Sequence, residues 1–259
     1  MSDMDGEPAA LARYECKYLV PDPLVVGLRR ALRPFLQPDP HALRSSGNYP
    51  VCSLYLDSSD LRLLDMGLRG WSERFKLRAR SYSDDAREPV YLEIKRRRDG
   101  IVEKRRLRVE RPLAQDYLRA RGSAGELVPR SSALAFSEFG RLAQVHAARP
   151  MLRIKYWREA HESRAGEPLR ITFDTRIEYA WCRAGELALE PGPWSSLALG
   201  GTVLEIKFTN VYPAWVRDLV ARFELERRSL SKYALAMERA LAEQPAGARL
   251  AGGTARLEV

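Results

Sequence analysis

From about residue 13 to residue 209 the chain runs in short stretches that alternate apolar and polar residues, and the polar partner is mostly a cation. In RFKLRARSY, residues 74–82, Arg74, Lys76, Arg78 and Arg80 share one side of an extended strand, with Phe75, Leu77 and Ala79 on the other. The same alternation predicts strands over 13–20, 51–57, 73–82, 90–97, 101–109, 151–160, 168–178 and 202–209, with a hairpin around 181–190. The turn RRRDG joins the fourth and fifth of these as a hairpin. Helical spacing appears between them. Asp22-Pro23 reads as a cap and first turn of a helix that runs to about Leu36, where QPDP stops it. Pro213 opens AWVRDLVARFEL, Ser229 opens SLSKYALAMERALA, and SSDLRLLDMGLRG is a weaker helical piece. Residues 119–150 read as an insertion with a short helix from about Ala133 to His146.

Many strands and few helices predict an α+β fold: a closed, antiparallel, eight-stranded β-barrel with helices packed outside. The expected organisation is a disordered tail over 1–10, a single domain over 11–243 and a flexible tail over 244–259.

The polar strand faces change this picture from a wet sheet to a charged interior. Fourteen cations fall on them: Arg13, Lys17, Arg74, Lys76, Arg78, Arg80, Lys95, Lys104, Arg106, Arg108, Arg158, Arg170, Arg176 and Lys207. Against these stand five acids, Glu15, Asp57, Glu93, Asp174 and Glu205. A half-solvated antiparallel strand ordinarily shows a polar face, and for one strand that reading suffices. Solvent faces mix both signs, whereas these are dominated by one. If the sheet closes, the cations line a lumen, and buried charges require partners. The partner that answers is a multiply charged anion, for which the planar guanidinium is suited. Glutamates among so many cations either pair with Lys or hold a hard divalent cation together with substrate phosphates.

Composition agrees. The net charge is +9 and the pI about 9.6. A polyanionic partner follows. Nucleic acid is disfavoured because the cations alternate inside strands backed by aliphatics rather than lying on exposed helices or loops. Cys16, Cys52 and Cys182 are far apart and odd in number, which fits reduced thiols and a cytoplasmic protein. The start is acidic and polar, unlike a signal peptide, and no run reaches transmembrane length. His41, His146 and His161 have no metal-ligand spacing.

RYECKYLV, SLYLDSSD, RFKLRARSY, YLEIKR, the Lys104/Arg106 pair, YWREA, LRITFD, LEIKF and SLSKY occur in one order over roughly residues 12–242. That ordered set resembles the polyphosphate polymerase (VTC) domain family of the CYTH-like, triphosphate tunnel metalloenzyme superfamily. The resemblance implies a tunnel that binds ATP, polyphosphate or triphosphate, with Mn²⁺ or Mg²⁺, and passes the ATP γ-phosphate to a growing polyphosphate. By position it implies Arg78, Arg80, Lys104, Arg158 and Arg170 as catalytic cations. It implies Lys17, Lys76, Lys95, Arg106, Tyr156, Lys207, Ser231 and Lys232 as substrate contacts, and Glu205 as the metal ligand. Local readings stand beside these. Glu205 can neutralise Lys207, Ser231 can cap its helix, Tyr156 can be core, and Asp174 can pair with Arg170 or Arg176. Glu15 reads as an ion-pair partner more than a ligand. The chain departs from the pattern at Leu56 and Ser58, and it carries no regulatory domain and no membrane span, so any membrane-protein partner is unidentified. Tripolyphosphate hydrolysis and non-catalytic binding stay open as alternatives. A lining open at both ends favours a polymerase; a plugged tunnel with a water-activating carboxylate favours a hydrolase.

Overall fold

The computed structural model describes residues 13–98, 101–122, 137–182, 184–190, 192–209 and 212–244. Both expected tails, Gln244 excepted, lie outside the described residues. Ten strands form one antiparallel sheet. They are β1 (Arg13–Val20), β2 (Leu36–Pro38), β3 (Tyr49–Asp57), β4 (Glu73–Ser81), β5 (Val90–Arg98), β6 (Ile101–Val109), β7 (Arg149–Ser163), β8 (Arg170–Trp181), β9 (Ser195–Ser196) and β10 (Thr202–Thr209). The main path is β1-β10-β8-β7-β3-β4-β5-β6, and the short β2 and β9 attach to β7 and β8. Seven described helices accompany them: α1 (Asp22–Leu32), α2 (Pro40–Arg44), α3 (Arg62–Leu68), α4 (Arg111–Gly122), α5 (Glu138–Val145), α6 (Ala214–Arg222) and α7 (Lys232–Ala242).

The eight predicted strands are the eight strands of the main path. Two expectations fail locally. No hairpin forms among the described residues of 181–190; instead Asp84 accepts the backbone N–H groups of Leu189 and Glu190. Helix α4, with Pro112 in its first turn, lies where no helix was expected. The part of the expected 133–146 helix before residue 137 is outside the described residues.

The sheet curls but is not closed by backbone pairing, which corrects the closed eight-stranded barrel. Six steps separate β1 from β5 along the path, about 29 Å in a flat sheet. Yet Lys95 on β5 lies 3.0 Å from Glu15 on β1. The ends of the path therefore come round to face each other across a seam. The physical reason they do not pair is that the outer edge of β1 is taken. Tyr18 bridges to Arg227, and the Arg228 N–H donates to the Lys17 carbonyl at 2.8 Å. An edge already hydrogen-bonded cannot also accept β6.

Three apolar clusters fix the curl. On the convex side, Cys16, Tyr18, Leu204, Ile206, Ile171 and Phe173 pack under α1 and α6. Also convex, Leu54, Leu77, Ala79, Leu92 and Ile94 pack against α3, α4 and α5. The third cluster is concave. Tyr55, Ile154, Tyr156, Ile177, Tyr179 and Val203 receive Tyr233, Ala236, Met237 and Ala240 of α7. One part of the concave face is thus apolar and filled by α7, and the charged part lies beside it.

Candidate functional site

Antiparallel register stacks the charged positions side by side. Arg78 lies across from Glu93 and Glu93 across from Arg106; Lys76 lies across from Lys95 and Lys95 across from Lys104. On the other arm of the curl, Lys17 faces Glu205, Glu15 faces Lys207, and Glu205 and Lys207 face Thr172 and Arg170.

Two acids organise the cations. Glu93 is 1 % exposed and lies 2.6 Å from Arg78, 2.9 Å from Lys104, 3.3 Å from Arg106 and 3.8 Å from Arg80. Burial would raise its pKa, but Arg78, Arg80 and Lys104 outweigh it and hold the carboxyl far below the usual range. Asp174 is fully buried and takes a bidentate pair from Arg158 at 2.7 and 2.8 Å, with Lys232 at 2.7 Å. Its pKa falls to about 2, because Arg158 and Lys232 overcome burial. The expected partnership of Asp174 with Arg170 or Arg176 does not occur. Tyr156 is buried in the apolar cluster and carries Arg158 at 5.2 Å and Lys232 at 4.9 Å from its ring centre.

Lys76 donates to Ser231 Oγ at 2.8 Å, and Ser231 in turn caps α7 by accepting the Ala234 N–H. Burial, with Lys17 and Lys95 nearby, lowers the Lys76 ammonium to about 8 although Tyr55 opposes this. Lys17 donates to the Leu230 carbonyl at 2.8 Å and pairs with Glu15 at 3.1 Å, so Glu15 is held by Lys17 and Lys95 as expected. Lys207 pairs with Glu205 at 3.1 Å, and Arg158 lies 3.6 Å from the same carboxylate.

Arg170 sits apart. It is held by Asp39 at 2.5 Å, Glu162 at 3.1 Å and the Tyr49 hydroxyl at 3.2 Å, at the end where β3 begins and β4 ends. The structure thus gathers Arg78, Arg80, Lys104 and Arg106 around Glu93. It gathers Arg158, Tyr156 and Lys232 around Asp174. Lys17, Lys95, Lys76 and Ser231 form a third group near Lys207 and Glu205, and Arg170 stands at one mouth.

Two of the cations assigned to this face leave it. Arg74 turns to the Trp71 carbonyl. Arg176 has φ of 48° and is exposed, because a bulge in the β7–β8 pairing shifts the alternation. Asp57 is not part of the charge balance either: it accepts the backbone N–H groups of Ser58, Leu63 and Leu64 and the Tyr233 hydroxyl. Tyr55 was missed. Its hydroxyl accepts from Arg78 at 3.2 Å and its ring stacks on Tyr233 at 4.6 Å. Burial alone would raise this phenol, but Arg78, Arg80 and Lys76 bring it down to about 8. The only signal in the sequence was its place two residues before Asp57 on the polar face.

No group of three or more His, Cys, Asp or Glu side chains suited to a metal occurs among the described residues. Glu205 and Glu15 sit on the paired strands β10 and β1, across from Lys17 and Lys207. Across from Glu205, the buried Thr172 hydroxyl has no hydrogen-bond partner among the described residues. These oxygens fit a hard divalent cation in its usual form, with one or two carboxylates and the rest of the shell from substrate phosphate and water.

The family model for the VTC domain matches residues 12–241. The chain belongs to the VTC domain family. Solved structures resemble the VTC domain in fold. One is an adenylyl cyclase-type protein from Hippeastrum described with a dominant triphosphatase activity; identity is 19 %, the TM-score 0.50, and the match covers 88 % of this chain and 96 % of that one. A protein from Bacillus halodurans assigned as an adenylate cyclase gives 11 % identity, a TM-score of 0.47 and coverage of 85 % and 94 %. A protein from Pyrococcus horikoshii OT3 gives 14 %, 0.45, and coverage of 89 % and 99 %. No curated protein sequence matches. Among the described residues no helix of the VTC domain is long and apolar enough to cross a membrane.

Proposed function

We propose that this VTC domain catalyses divalent-metal-dependent phosphoryl transfer from a nucleoside triphosphate to polyphosphate. The terminal oxygen of the acceptor chain bonds to the γ-phosphorus, the bond from that phosphorus to the β–γ bridging oxygen breaks, and the nucleoside diphosphate leaves. The observation that carries this reading is the state of the acids. Glu93, Asp174 and Glu205 are all pressed well below the usual carboxylate range by their cations. An effective general base has a pKa near the working pH, so none of the three is suited to taking a proton from water. A phosphate acceptor is already anionic and needs only positioning and charge neutralisation.

On this reading the roles divide as follows. Arg78, Arg80, Lys104 and Arg158 face the transferred group as catalytic cations, with Arg170 at the mouth. Lys17, Lys76, Lys95, Arg106, Tyr156, Lys207, Ser231 and Lys232 bind the two chains. Glu205, with Glu15 and Thr172 beside it, would hold Mn²⁺ or Mg²⁺. The metal would supply neutralisation of the terminal phosphate oxygens. Access for a long acceptor is along the seam. Lys95, Lys104 and Lys207 are 38 %, 43 % and 39 % exposed there, whereas Arg80 and Arg158 deeper in the face are 7 % and 9 % exposed.

One observation favours a second reading, hydrolysis of tripolyphosphate. Helix α7 fills one part of the concave face, which narrows passage from end to end.

The test is purified protein with ATP and Mn²⁺ or Mg²⁺, products resolved on a gel. A ladder of polyphosphate supports transfer, free phosphate alone supports the hydrolase, and no turnover with either metal removes the enzyme reading in favour of a binding module. Glu205→Ala is expected to abolish turnover while retaining polyanion binding.

A further inference from the structure

Beyond the cations, four rings converge at the mouth that holds Arg170. His41 of α2 stacks on Tyr82 with centroids 5.2 Å apart and planes at 24°. Tyr49 and Tyr91 meet Tyr82 edge-on, each at 5.9 Å. Arg106 lies 3.6 Å from the centre of the Tyr91 ring and donates to the Tyr82 hydroxyl at 2.9 Å. Tyr82 follows Arg80 by two residues, so the rings continue the line of cations outward.

This group is not simply core. His41 is exposed, Tyr82 and Tyr91 are half-buried, and the Arg106 side chain is 36 % exposed. Packed rings and a guanidinium at an open edge form a surface on which a flat heterocycle stacks. The nearby Asp39 is already engaged. It accepts from the Ala42 N–H, the Tyr49 hydroxyl and Arg170, so this carboxylate is not free for a base edge. Burial, aided by Arg44, Arg170 and Arg106 against Asp39, lowers the His41 pKa, which favours the neutral ring.

We infer that this mouth is a stacking platform for the purine of a nucleoside triphosphate, and that it accepts adenine and guanine alike. The inference rests on the phosphate-binding reading above and adds the nucleoside end. The triphosphate enters phosphates first, with its base left at His41 and Tyr82. Because stacking uses ring faces, it does not distinguish the two purines.

The test is titration calorimetry of the full chain with Mg²⁺ and the β,γ-imido analogues of ATP and GTP, with imidotriphosphate as the control that lacks a base. Wild type and His41→Ala/Tyr82→Leu are compared, with circular dichroism to verify folding. His41→Ala alone, at an exposed position, guards against a fold effect. The double variant is expected to weaken both nucleotide analogues by about tenfold (about 1.4 kcal/mol). Imidotriphosphate is expected to change by less than about twofold, and His41→Ala alone to give the same pattern at smaller size. If the variants weaken all three ligands alike, or none, the platform is refuted. A clear preference for one purine refutes its indifference to the base. If wild type binds imidotriphosphate but neither nucleotide, the platform fails and the phosphate reading stands; if it binds none of the three, both fail.

Discussion

Replacing Glu93 by Gln keeps the shape of the side chain and removes its charge. In the native protein that carboxylate is 1 % exposed and faces four cations, the nearest at 2.6 Å. Breaking a buried pair by neutralising one partner costs about 3–5 kcal/mol, since it strands uncompensated buried charge. For a chain of this size about 2–4 °C of melting temperature goes with each kcal/mol, so Glu93→Gln is expected to melt about 6–20 °C lower. A polyanion should act in the opposite sense. With Glu93 neutral, Arg78, Arg80, Lys104 and Arg106 are left to the ligand, so saturating tripolyphosphate stabilises the variant more than the wild type. The pH dependence has a definite sign. The folded pKa of Glu93 is depressed, so its stabilisation is full above the unfolded value of about 4.3 and declines as pH falls below it. Thermal melts of both proteins, with and without tripolyphosphate, from pH 8 down to pH 3.5 provide the measurement. The gap should be constant down to about pH 5 and narrow only below about pH 4.3. Equal melting temperatures at pH 7, or a smaller ligand-induced shift in the variant, would refute the reasoning.

Other consequences are open to direct measurement. Lys76 and Tyr55 are each brought to about 8, and each makes the face less positive by one charge on losing its proton. Tripolyphosphate affinity, read by calorimetry, is therefore expected to hold steady up to pH 7 and fall between pH 7 and 9. Lys76→Met/Tyr55→Phe should flatten that fall, and an unchanged slope would count against both groups. Gly201→Ala would place a Cβ 2.4 Å from the Val20 carbonyl oxygen, a clash with backbone that cannot step aside. A loss of about 1–3 kcal/mol by urea unfolding is expected from such overpacking.

How far the sequence could be read depended on where alternation keeps its phase. On β4, β5 and β10 every second residue stays on one face, so Lys76, Arg78, Arg80, Glu93, Lys95, Glu205 and Lys207 were legible as one surface. On β8 the bulged pairing with β7 breaks the phase: Arg176 points out while Ile177 and Tyr179 join the apolar concave cluster. A period of two cannot register an inserted residue. Closure was not legible either. Whether β6 meets β1 depends on Arg227 and Arg228, more than two hundred residues from β1, taking the β1 edge first. Tyr55, Asp39 and Tyr82 escaped because aromatic rings and a lone Asp at strand ends look like ordinary core or caps until their neighbours are known.

The count of cations on these strands raised a difficulty that the structure answers through sharing. A face with so many positive charges and no partners would be too costly to fold. Pairing each cation with its own acid would remove the cost, and with it the capacity to bind an anion. Here one Glu93 serves Arg78, Arg80, Lys104 and Arg106, and one Asp174 serves Arg158 and Lys232. Each acid lowers the cost for several cations while cancelling only one unit of charge. A guanidinium has several N–H donors, so Arg78 and Arg80 can keep their shared acid and still present donors to a phosphate. The arrangement is rigid because the acids are buried, and still net positive because they are few. Removing Glu93 should therefore uncouple stability from anion affinity, lowering one and raising the other, whereas a face built from one-to-one ion pairs would gain only a single free cation from the same change.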